Sequence, residues 1–478
     1  MKIHNIRLGF ANNSSSSHSI VFLKGGDIGE VESSDTSSFG WEPFTLISPE
    51  RKRFYLNEIV KSSLREDLGP VYSKMVADQL TGVVSDNDGY GIDHQSEWVL
   101  PHAWSGVGID LEFFEDYKNH ILQGNVAILG GNDNDGDHPD NHLPDSPANR
   151  LYTETSNKGM VARKDGKYWT IFSREGGAKI RLSFQDEATP HKAEKPELVD
   201  LKITDHCPYG CAYCYQGSTM DGKHAPKANI FRILRMLATW RVFEVAIGGG
   251  EPTLHPDFLD ILTYANSLGV VPNFTTKNIA WLNGPRAREI LSKIGSFAYS
   301  VESASDVAKL YEAMEPHTGS EDDSMYGKAT VQFIIGLEAT GDTLASVVAE
   351  AKARKFPLTL LGFKNTHRGA TFGEKKNDNW IKILRDVIDG TQRIAIDTVL
   401  ADKYYDTLTT EYGVPKYCLT RKDGAFSAYI DAVENTMFPS SYELEASAPL
   451  VVSSEQSWLK DDQRDLDVGA NAKTFLSW

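Results

Sequence analysis

Residues 198–214 read LVDLKITDHCPYGCAYC, a short apolar segment followed by three closely spaced cysteines. Leu198–Ile203 has the aliphatic and β-branched composition of a buried strand, and Cys207 follows four residues after its end. Thiolates are soft ligands that suit iron–sulfur clusters or zinc, and this clustering is typical of a metal site. The stretch therefore predicts a metal-binding loop directly after a strand.

Outward from this stretch, strand-like and helix-like segments alternate. Strands are predicted at 198–203, 242–247, 272–276, 297–301, 331–335 and 358–363, with helices near 228–240, 257–268, 285–294, 305–313, 344–355 and 380–388. This alternation predicts an α/β fold with a parallel sheet, because parallel strands need crossover connections. Six units are too few for a closed eight-fold barrel, which leaves a partial (β/α)6 barrel or an open doubly wound sheet. In either fold, chemistry takes place at the carboxyl ends of the strands.

The regions on either side differ in pattern from this core. Residues 1–195 form an irregular α+β accessory region for substrate recognition, with strands near 167–172 and 179–184. The core spans 196–392, and 393–478 is a small C-terminal extension with strands near 393–397 and 426–431. The loop at 130–138 is rich in Gly, Asn and Asp but lacks the register of a calcium loop, so a solvated acidic loop is favoured.

Composition limits the classes of function. The 478 residues carry 49 basic and 66 acidic side chains, a net charge of −17, which makes general nucleic-acid binding unlikely. Four cysteines in a chain this long do not form a disulfide scaffold. No run of apolar residues is long enough to span a membrane and no secretory signal begins the chain, so we expect a cytoplasmic protein without a membrane partner.

The spacing of Cys207, Cys211 and Cys214 resembles the signature of the radical S-adenosylmethionine (radical SAM) superfamily. The resemblance implies that the three thiolates bind a 4Fe-4S cluster and leave one iron open for S-adenosylmethionine. It further implies reductive cleavage of that cofactor to a 5′-deoxyadenosyl radical, with an electron donor such as flavodoxin or ferredoxin. Tyr213 matches the aromatic residue found before the last cysteine and is expected at the cofactor.

A second motif lies at the end of the second predicted strand. It matches the superfamily's Gly-Gly-Glu-Pro sequence at Gly249, Gly250, Glu251 and Pro252, whose backbone is implied to contact the methionyl amino group. Glycine permits such a close approach of backbone to ligand. Two motifs at successive strand ends make a lone structural zinc site less favoured.

Later strand ends carry weaker similarities. Ser300 and Glu302 resemble the residues that bind the ribose hydroxyls, although polar residues also occur at strand ends for solvation. Residues 274–278 resemble a Thr-Asn-Gly run with Lys277 inserted. Arg368 is a candidate partner for a carboxylate or the substrate, and a surface arginine is the equal alternative.

The C-terminal region resembles the SPASM or twitch extension of radical enzymes that modify peptides. Ser440 stands where a cysteine is expected and Cys418 is the fourth cysteine, so the region is interpreted as a degenerate extension without an auxiliary cluster. A coincidental β-hairpin is the alternative. The polar run Asn12–Ser19 resembles a short motif of phage and bacterial proteins, and a disordered start is favoured over a modification tag.

The function favoured by these observations is hydrogen abstraction from a peptide or protein side chain. Radical modification of a nucleotide or another small metabolite is the alternative. A non-enzymatic zinc-binding module, with His206 or Cys418 as the fourth ligand, is the remote one.

Overall fold

The chain forms two compact units in the computed structural model, residues 1–6 with 19–189 and residues 7–18 with 190–478. The boundaries expected at residues 195 and 392 stay a prediction. Cys418, the run Asn12–Ser19 and most of the acidic loop lie outside the described residues. The structure describes residues 2–7, 44–46, 48–84, 100–104, 108–122, 128–130, 159–184, 187–317, 326–377, 379–387, 394–414, 416, 419–454 and 464–478.

The first unit contains two small sheets. Its strands are β1 (Lys2–Arg7), β2 (Phe44–Leu46), β3 (Ile128–Gly130), β4 (Met160–Asp165), β5 (Tyr168–Ser173) and β6 (Lys179–Ser183). The larger sheet has the order β1-β6-β5-β4, and β2 pairs antiparallel with β3. The two strands predicted near 167–172 and 179–184 are confirmed as β5 and β6.

Two helices complete this unit, α1 (Pro49–Thr81) and α2 (Leu111–Ile121). Helix α1 is kinked at Gly69, whose φ of 73° precedes Pro70, a residue that cannot donate to the helical ladder. Phe113 of α2 packs edge-on against Trp169, with the ring centroids 5.2 Å apart. The α+β character expected for residues 1–195 fits these elements, but the 33-residue helix α1 was not predicted.

The second unit is built on a ten-stranded sheet, and its order confirms the predicted α/β class. Its strands are β7 (Leu198–Thr204), β8 (Glu244–Gly249), β9 (Val271–Thr276), β10 (Phe297–Ser300), β11 (Ala329–Ile334), β12 (Leu358–Leu361), β13 (Ile394–Ile396), β14 (Ser427–Asp431), β15 (Thr436–Phe438) and β16 (Ala448–Pro449). The spatial order is β13-β12-β11-β10-β9-β8-β7-β14-β15-β16. The six predicted core strands therefore lie side by side in chain order.

Strands β13 and β14 extend the parallel part of the sheet at its two ends. Strand β13 pairs parallel with β12, and β14 pairs parallel with β7, with Ser427 opposite Leu198. Both strands were predicted, but the place of β14 beside the first core strand was not. Within the described residues β13 and β14 do not pair with each other, so the sheet stays open, as a partial barrel does.

Amphipathic helices cover the sheet. They are α3 (Lys227–Thr239), α4 (Phe258–Ser267), α5 (Ala287–Lys293), α6 (Ala304–Met314), α7 (Asp342–Ala353), α8 (Arg368–Phe372), α9 (Trp380–Val387), α10 (Thr398–Lys403) and α11 (Val468–Ser477). Helix α3 buries Ile230, Ile233, Leu234 and Leu237 in the main core. Each such side chain contributes about 1.5–3 kcal/mol by leaving water. In the described part of the chain, every helix is too short or too polar to traverse a bilayer.

The end of β8 positions the loop that carries the cysteines, here called the cysteine loop (residues 205–219). The Gly250 amide donates to the Thr204 carbonyl at 2.7 Å, and the Glu251 amide donates to the His206 carbonyl at 2.8 Å. A Cβ on Gly250 would lie 2.2 Å from the His206 oxygen. Glycine at this position therefore lets the two backbones approach closely enough to bond.

We expect Gly250→Ala to destabilise the protein and Gly248→Ala to have little effect. The added methyl group at 250 meets backbone, which cannot move aside as a side chain can, and such overpacking costs about 1–3 kcal/mol or more. A Cβ at Gly248 meets no atom within 4 Å and provides the matched control. Thermal unfolding of the two variants measures the difference, and equal midpoints would contradict the proposed close approach.

Candidate active site

One cavity collects most of the residues singled out in the sequence. It lies at the carboxyl ends of the parallel strands and opens to solvent, and it contains about 1080 Å³ of empty space when the adjoining open solvent is included. The predicted site residues that line it are Cys207, Cys211, Cys214, Tyr213, Gly249, Gly250, Glu251 and Ser300. The two motifs are far apart in sequence but meet in space, because they lie at the carboxyl ends of the neighbouring parallel strands β7 and β8.

The three thiols lie on a loop that is held mainly through its backbone. All three are free and half-buried. The Cys207 amide donates to the Thr219 carbonyl at 2.8 Å, and the Cys214 amide donates to the Cys211 carbonyl at 3.2 Å. Burial raises the pKa of the Cys207 thiol, against the effect of a backbone hydrogen bond from Tyr209. The side chains are thereby left facing the cavity while the backbone polar groups are satisfied.

Arg368, the first residue of α8, braces the cysteine loop. Its Nε donates to the Cys211 carbonyl and its Nη1 donates to the Ser218 carbonyl, both at 2.9 Å. Thr366 adds a hydrogen bond to the Tyr215 carbonyl at 3.0 Å. The structure therefore places Arg368 as a clamp on the loop, a role that the sequence did not indicate.

The donor set suits an iron–sulfur cluster. Among the residues that the structure describes, no three His, Cys, Asp or Glu side chains converge as ligands of a single ion. A cubane does not need that convergence, because each thiolate binds a different iron. Gly248 leaves open space beside the end of β8, since a Cβ there would meet nothing within 4 Å. The cavity thus offers three thiols and an exposed stretch of backbone to a bound group.

Glu251 uses its carboxylate to join strand ends. The side chain is buried, with 2% of its surface exposed. Its Oε1 accepts from the hydroxyls of Thr253 and Thr276, each at 2.7 Å, and its Oε2 accepts from the Lys277 amide at 2.9 Å. Burial raises the pKa of Glu251, although these donors act in the opposite direction. A contact between Glu251 and a cofactor stays a prediction.

Lys277 lies at the centre of a charged network beside the thiols. Its Nζ donates to Cys211 Sγ at 3.4 Å and to Tyr213 Oη at 3.4 Å, and it forms an ion pair with Glu302. The Tyr213 hydroxyl also donates to the Glu302 carboxylate. In the sequence, Lys277 is recognisable only as an insertion in a Thr-Asn-Gly motif. Its position directly after β9 was the signal that could have identified it.

The pKa values of this pair reflect mutual stabilisation. Burial alone would raise the pKa of Glu302, but hydrogen bonds from Lys277 and Tyr213 outweigh it and leave that pKa lowered. Burial alone would lower the pKa of Lys277, but Glu302 and Cys211 outweigh it and leave that pKa raised. The network therefore presents a fixed positive charge to the Cys211 sulfur.

The remaining predicted residues are distributed around this network. A second cavity, of about 910 Å³, shares Tyr213, Lys277 and Cys211 with the first, and Glu302 lines it. Ser300 lines the first cavity and Glu302 lines the second, so the two residues predicted to bind one ribose border different cavities. Pro252 is buried and begins the short 3₁₀ turn Pro252–Leu254 after β8.

Ser440 has a local structural role. Its side chain is buried, and its Oγ accepts from the Glu443 amide at 3.1 Å and from the Tyr442 amide at 3.4 Å. Strands β14 and β15 on its N-terminal side form an antiparallel hairpin. The hydroxyl at this position therefore caps a turn, and whether the region descends from a SPASM or twitch extension stays a prediction.

Gln332 is a residue that sequence analysis missed. It lies on β11, lines the first cavity and has 2% of its surface exposed. Among the residues that the structure describes, neither its Oε1 nor its Nε2 has a hydrogen-bond partner, and the Ser218 hydroxyl in the same cavity also has none. An unpaired buried polar group costs about 1–3 kcal/mol, so this amide is unusual for a protein interior.

Comparison with known proteins gives a family for this core. The Radical SAM superfamily model matches residues 201–359. The mycofactocin maturase MftC of Mycobacterium ulcerans is 28% identical over 171 residues, 35% of this chain and 41% of the relative. The PqqA peptide cyclase of Bradyrhizobium diazoefficiens is 33% identical over 86 residues, 18% of this chain and 23% of the relative. The chain thus spans less than half the length of these relatives.

A solved structure shows a looser similarity. Streptococcus suis SuiB bound to S-adenosylmethionine overlaps with a TM-score of 0.45 at 14% identity, covering 60% of this chain and 82% of that one. An overlap of that size carries no argument about function. The family match includes both the cysteine motif and the glycine motif described above. Residues 201–359 therefore form a radical SAM domain.

Proposed function

We propose that this protein is a radical SAM enzyme that uses a 4Fe-4S cluster, bound by Cys207, Cys211 and Cys214, to abstract hydrogen from a peptide or protein side chain. The observation that carries the proposal is that the three free thiols and the glycine-rich end of β8 line one cavity at the carboxyl ends of the sheet. That edge is where the parallel α/β folds concentrate their chemistry.

The bound cluster and S-adenosylmethionine would supply one-electron cleavage of the cofactor and a 5′-deoxyadenosyl radical, with the electron coming from a flavodoxin or ferredoxin. The protein's own residues hold the parts in place. Arg368 and the end of β8 fix the backbone of the cysteine loop, and Glu251 joins the ends of β8 and β9. Tyr213, Ser300 and Glu302 remain the proposed cofactor contacts.

Lys277 has a proposed electrostatic role toward the cluster. Its ammonium group lies 3.4 Å from Cys211 Sγ. Hydrogen bonds and positive charge at a ligand sulfur stabilise the more negative, reduced state of an iron–sulfur cluster. Glu302 holds the lysine from the opposite side and partly offsets its charge. Lys277 is therefore a positioning residue that also adjusts how readily the cluster accepts an electron.

A peptide or protein is the proposed substrate class. One relative with a matching segment is a peptide cyclase by name, and the resemblance of residues 393–478 to a degenerate SPASM or twitch extension points the same way. Residues 1–195 are the proposed substrate-recognition region. Modification of a nucleotide or small metabolite is the alternative outcome, and identification of the molecule that receives or loses hydrogen separates the two.

We expect Cys211→Ala to abolish cofactor cleavage. Two remaining thiolates cannot hold the cluster with its open iron correctly placed. The measurement is release of 5′-deoxyadenosine from S-adenosylmethionine after anaerobic reconstitution, with dithionite as reductant. Iron and sulfide content, measured on the same samples, should fall together with cleavage.

Cys418→Ala provides the matched control for that experiment, because it removes the cysteine outside the motif. It should keep both iron content and 5′-deoxyadenosine release near the unsubstituted level. Undiminished cleavage in the Cys211 variant would contradict the proposal. Stoichiometric zinc without iron and sulfide in the unsubstituted protein would favour the zinc-module alternative.

We expect Lys277→Met to make the reduction potential of the reconstituted cluster more negative. Methionine keeps much of the side-chain volume but removes the positive charge next to Cys211 Sγ. Lys277→Arg keeps the charge and should return the potential most of the way. Redox titration followed by electron paramagnetic resonance measures the shift, and equal potentials for the Met and Arg variants would refute this role.

A further inference from the structure

Most polar groups that line the first cavity have partners within the protein, some of which lie outside the lining. Lys202 pairs with Asp205 at 2.6 Å and with Asp431 at 2.9 Å. The Tyr429 hydroxyl donates to Gln216 Oε1 at 3.1 Å. Glu251 accepts from Thr253, Thr276 and Lys277, as described above. Against these engaged groups, the carboxamide of Gln332 stands out because both of its polar atoms are without partners.

The strand register places Gln332 between two hydroxyl side chains. Its neighbours in register are Ser300 on β10 and Thr359 on β12. Residues in register on parallel strands project from the same face of a sheet, so these hydroxyls flank the amide. Neither of them bonds to it, even though it is 98% buried. The amide is therefore available to a molecule in the cavity.

The cavity wall around the amide is largely apolar. Ile247, Val301, Ile334 and Leu361 contribute to it. In ligand sites of this kind, a few polar groups in an apolar wall fix the orientation of the ligand. A carboxamide presents one donor and one acceptor side by side. A ligand that matches it must present an acceptor and a donor on the same side.

An extended peptide has this arrangement. The N–H and C=O of one residue in a strand point to the same side, and in a hydrogen-bonded antiparallel pair both bond to a single residue of the neighbouring strand. We propose that Gln332 forms a subsite that holds one residue of an extended peptide substrate by its backbone N–H and C=O. This inference rests on the proposed function, because it names the part of the substrate that the cavity grips.

The adenine ring offers the same pair of groups, since an amide can bind bidentately to its N6 and N7 atoms. The adenine of the cofactor is therefore a second candidate ligand for the Gln332 amide. The experiment needs one arm for the peptide and one for the nucleoside. Both arms are measured at equilibrium on the reconstituted protein without reductant, so the result is independent of whether 5′-deoxyadenosine is released.

The peptide probe is acetyl-Ala-Ala-Ala-N-methylamide, with three analogues in which an ester oxygen replaces one alanine N–H each. Binding is measured by ligand-observed NMR in the presence of S-adenosylmethionine. For the unsubstituted protein we expect one ester analogue to bind about three- to tenfold more weakly, the loss typical of one hydrogen bond. In Gln332→Met we expect the parent peptide to bind more weakly, and we expect the ester analogues and the parent to bind with equal affinity.

Asn273→Leu is the matched control. Asn273 is also a buried carboxamide of the core sheet, but it is partnered: its Nδ2 donates to Glu244 at 3.1 Å and its Oδ1 accepts from the Ser296 amide at 2.9 Å. Its loss should lower the midpoint of thermal unfolding but leave one ester analogue binding more weakly than the others, here called the ester pattern. Gln332→Met should leave the midpoint unchanged or raise it, because it removes polar groups without partners. Gln332→Asn, which only shortens the reach, provides a second variant for the binding test.

Three results would overturn the inference. The first is equal binding of all three ester analogues, or no binding of the parent peptide, by the unsubstituted protein. The second is an ester pattern that survives in Gln332→Met. The third is a weakened affinity for S-adenosylhomocysteine in Gln332→Met with the ester pattern intact, which would assign the amide to adenine.

Discussion

Two backbone hydrogen bonds join the turn after β8 to the end of β7 and the start of the cysteine loop, and they support the part of the cavity that carries the thiols. They join Gly250 to Thr204 and Glu251 to His206, across a gap that admits no side chain. The cysteine loop has no helix or strand of its own that could fix three thiols relative to one another. Its geometry is imposed from outside, by β8 on one side and by Arg368 on the other. The glycine motif therefore shapes the loop that carries the three thiols.

Charge pairing inside the cavity extends this design. Lys202 is held by two aspartates and Lys277 by Glu302, so the positive charges near the thiols are fixed in direction and partly neutralised. Fixed charges of this kind need little rearrangement when the charge of a bound group changes.

Much of the second unit could be predicted from sequence because its strands are fully buried. Strand β7 is buried along its entire length, and such strands appear as apolar runs between helical segments. The helix α1 was missed because its buried face includes charged residues, with Lys61 paired to Glu58 at 2.7 Å, so no clean apolar stripe marks it. Sequence indicates that a strand exists, but it does not identify the partner, which is why the place of β14 was not foreseen.

In the candidate site, too, some features could be predicted from sequence and others only from the structure. Spacing was enough to bring the cysteines and the glycine motif to one cavity, because both follow strands whose ends adjoin. The contacts of Lys277 and the isolation of Gln332 depend on what neighbouring strands place around them, and no local pattern contains that information. Glu251 illustrates the difference between a motif and a contact. It lies where expected, yet its carboxylate bonds to the protein itself.

The parallel pairing of β14 with β7 has a consequence for biogenesis. The strand that leads into the cysteine loop acquires its second neighbour from a segment near the far end of the polypeptide. During synthesis, β7 emerges early and keeps one row of main-chain groups unsatisfied until that segment leaves the ribosome. The loop is anchored to a finished sheet only then. A chain cut short before Ser427 would therefore leave one edge of β7 unpaired beside the loop that carries its thiols.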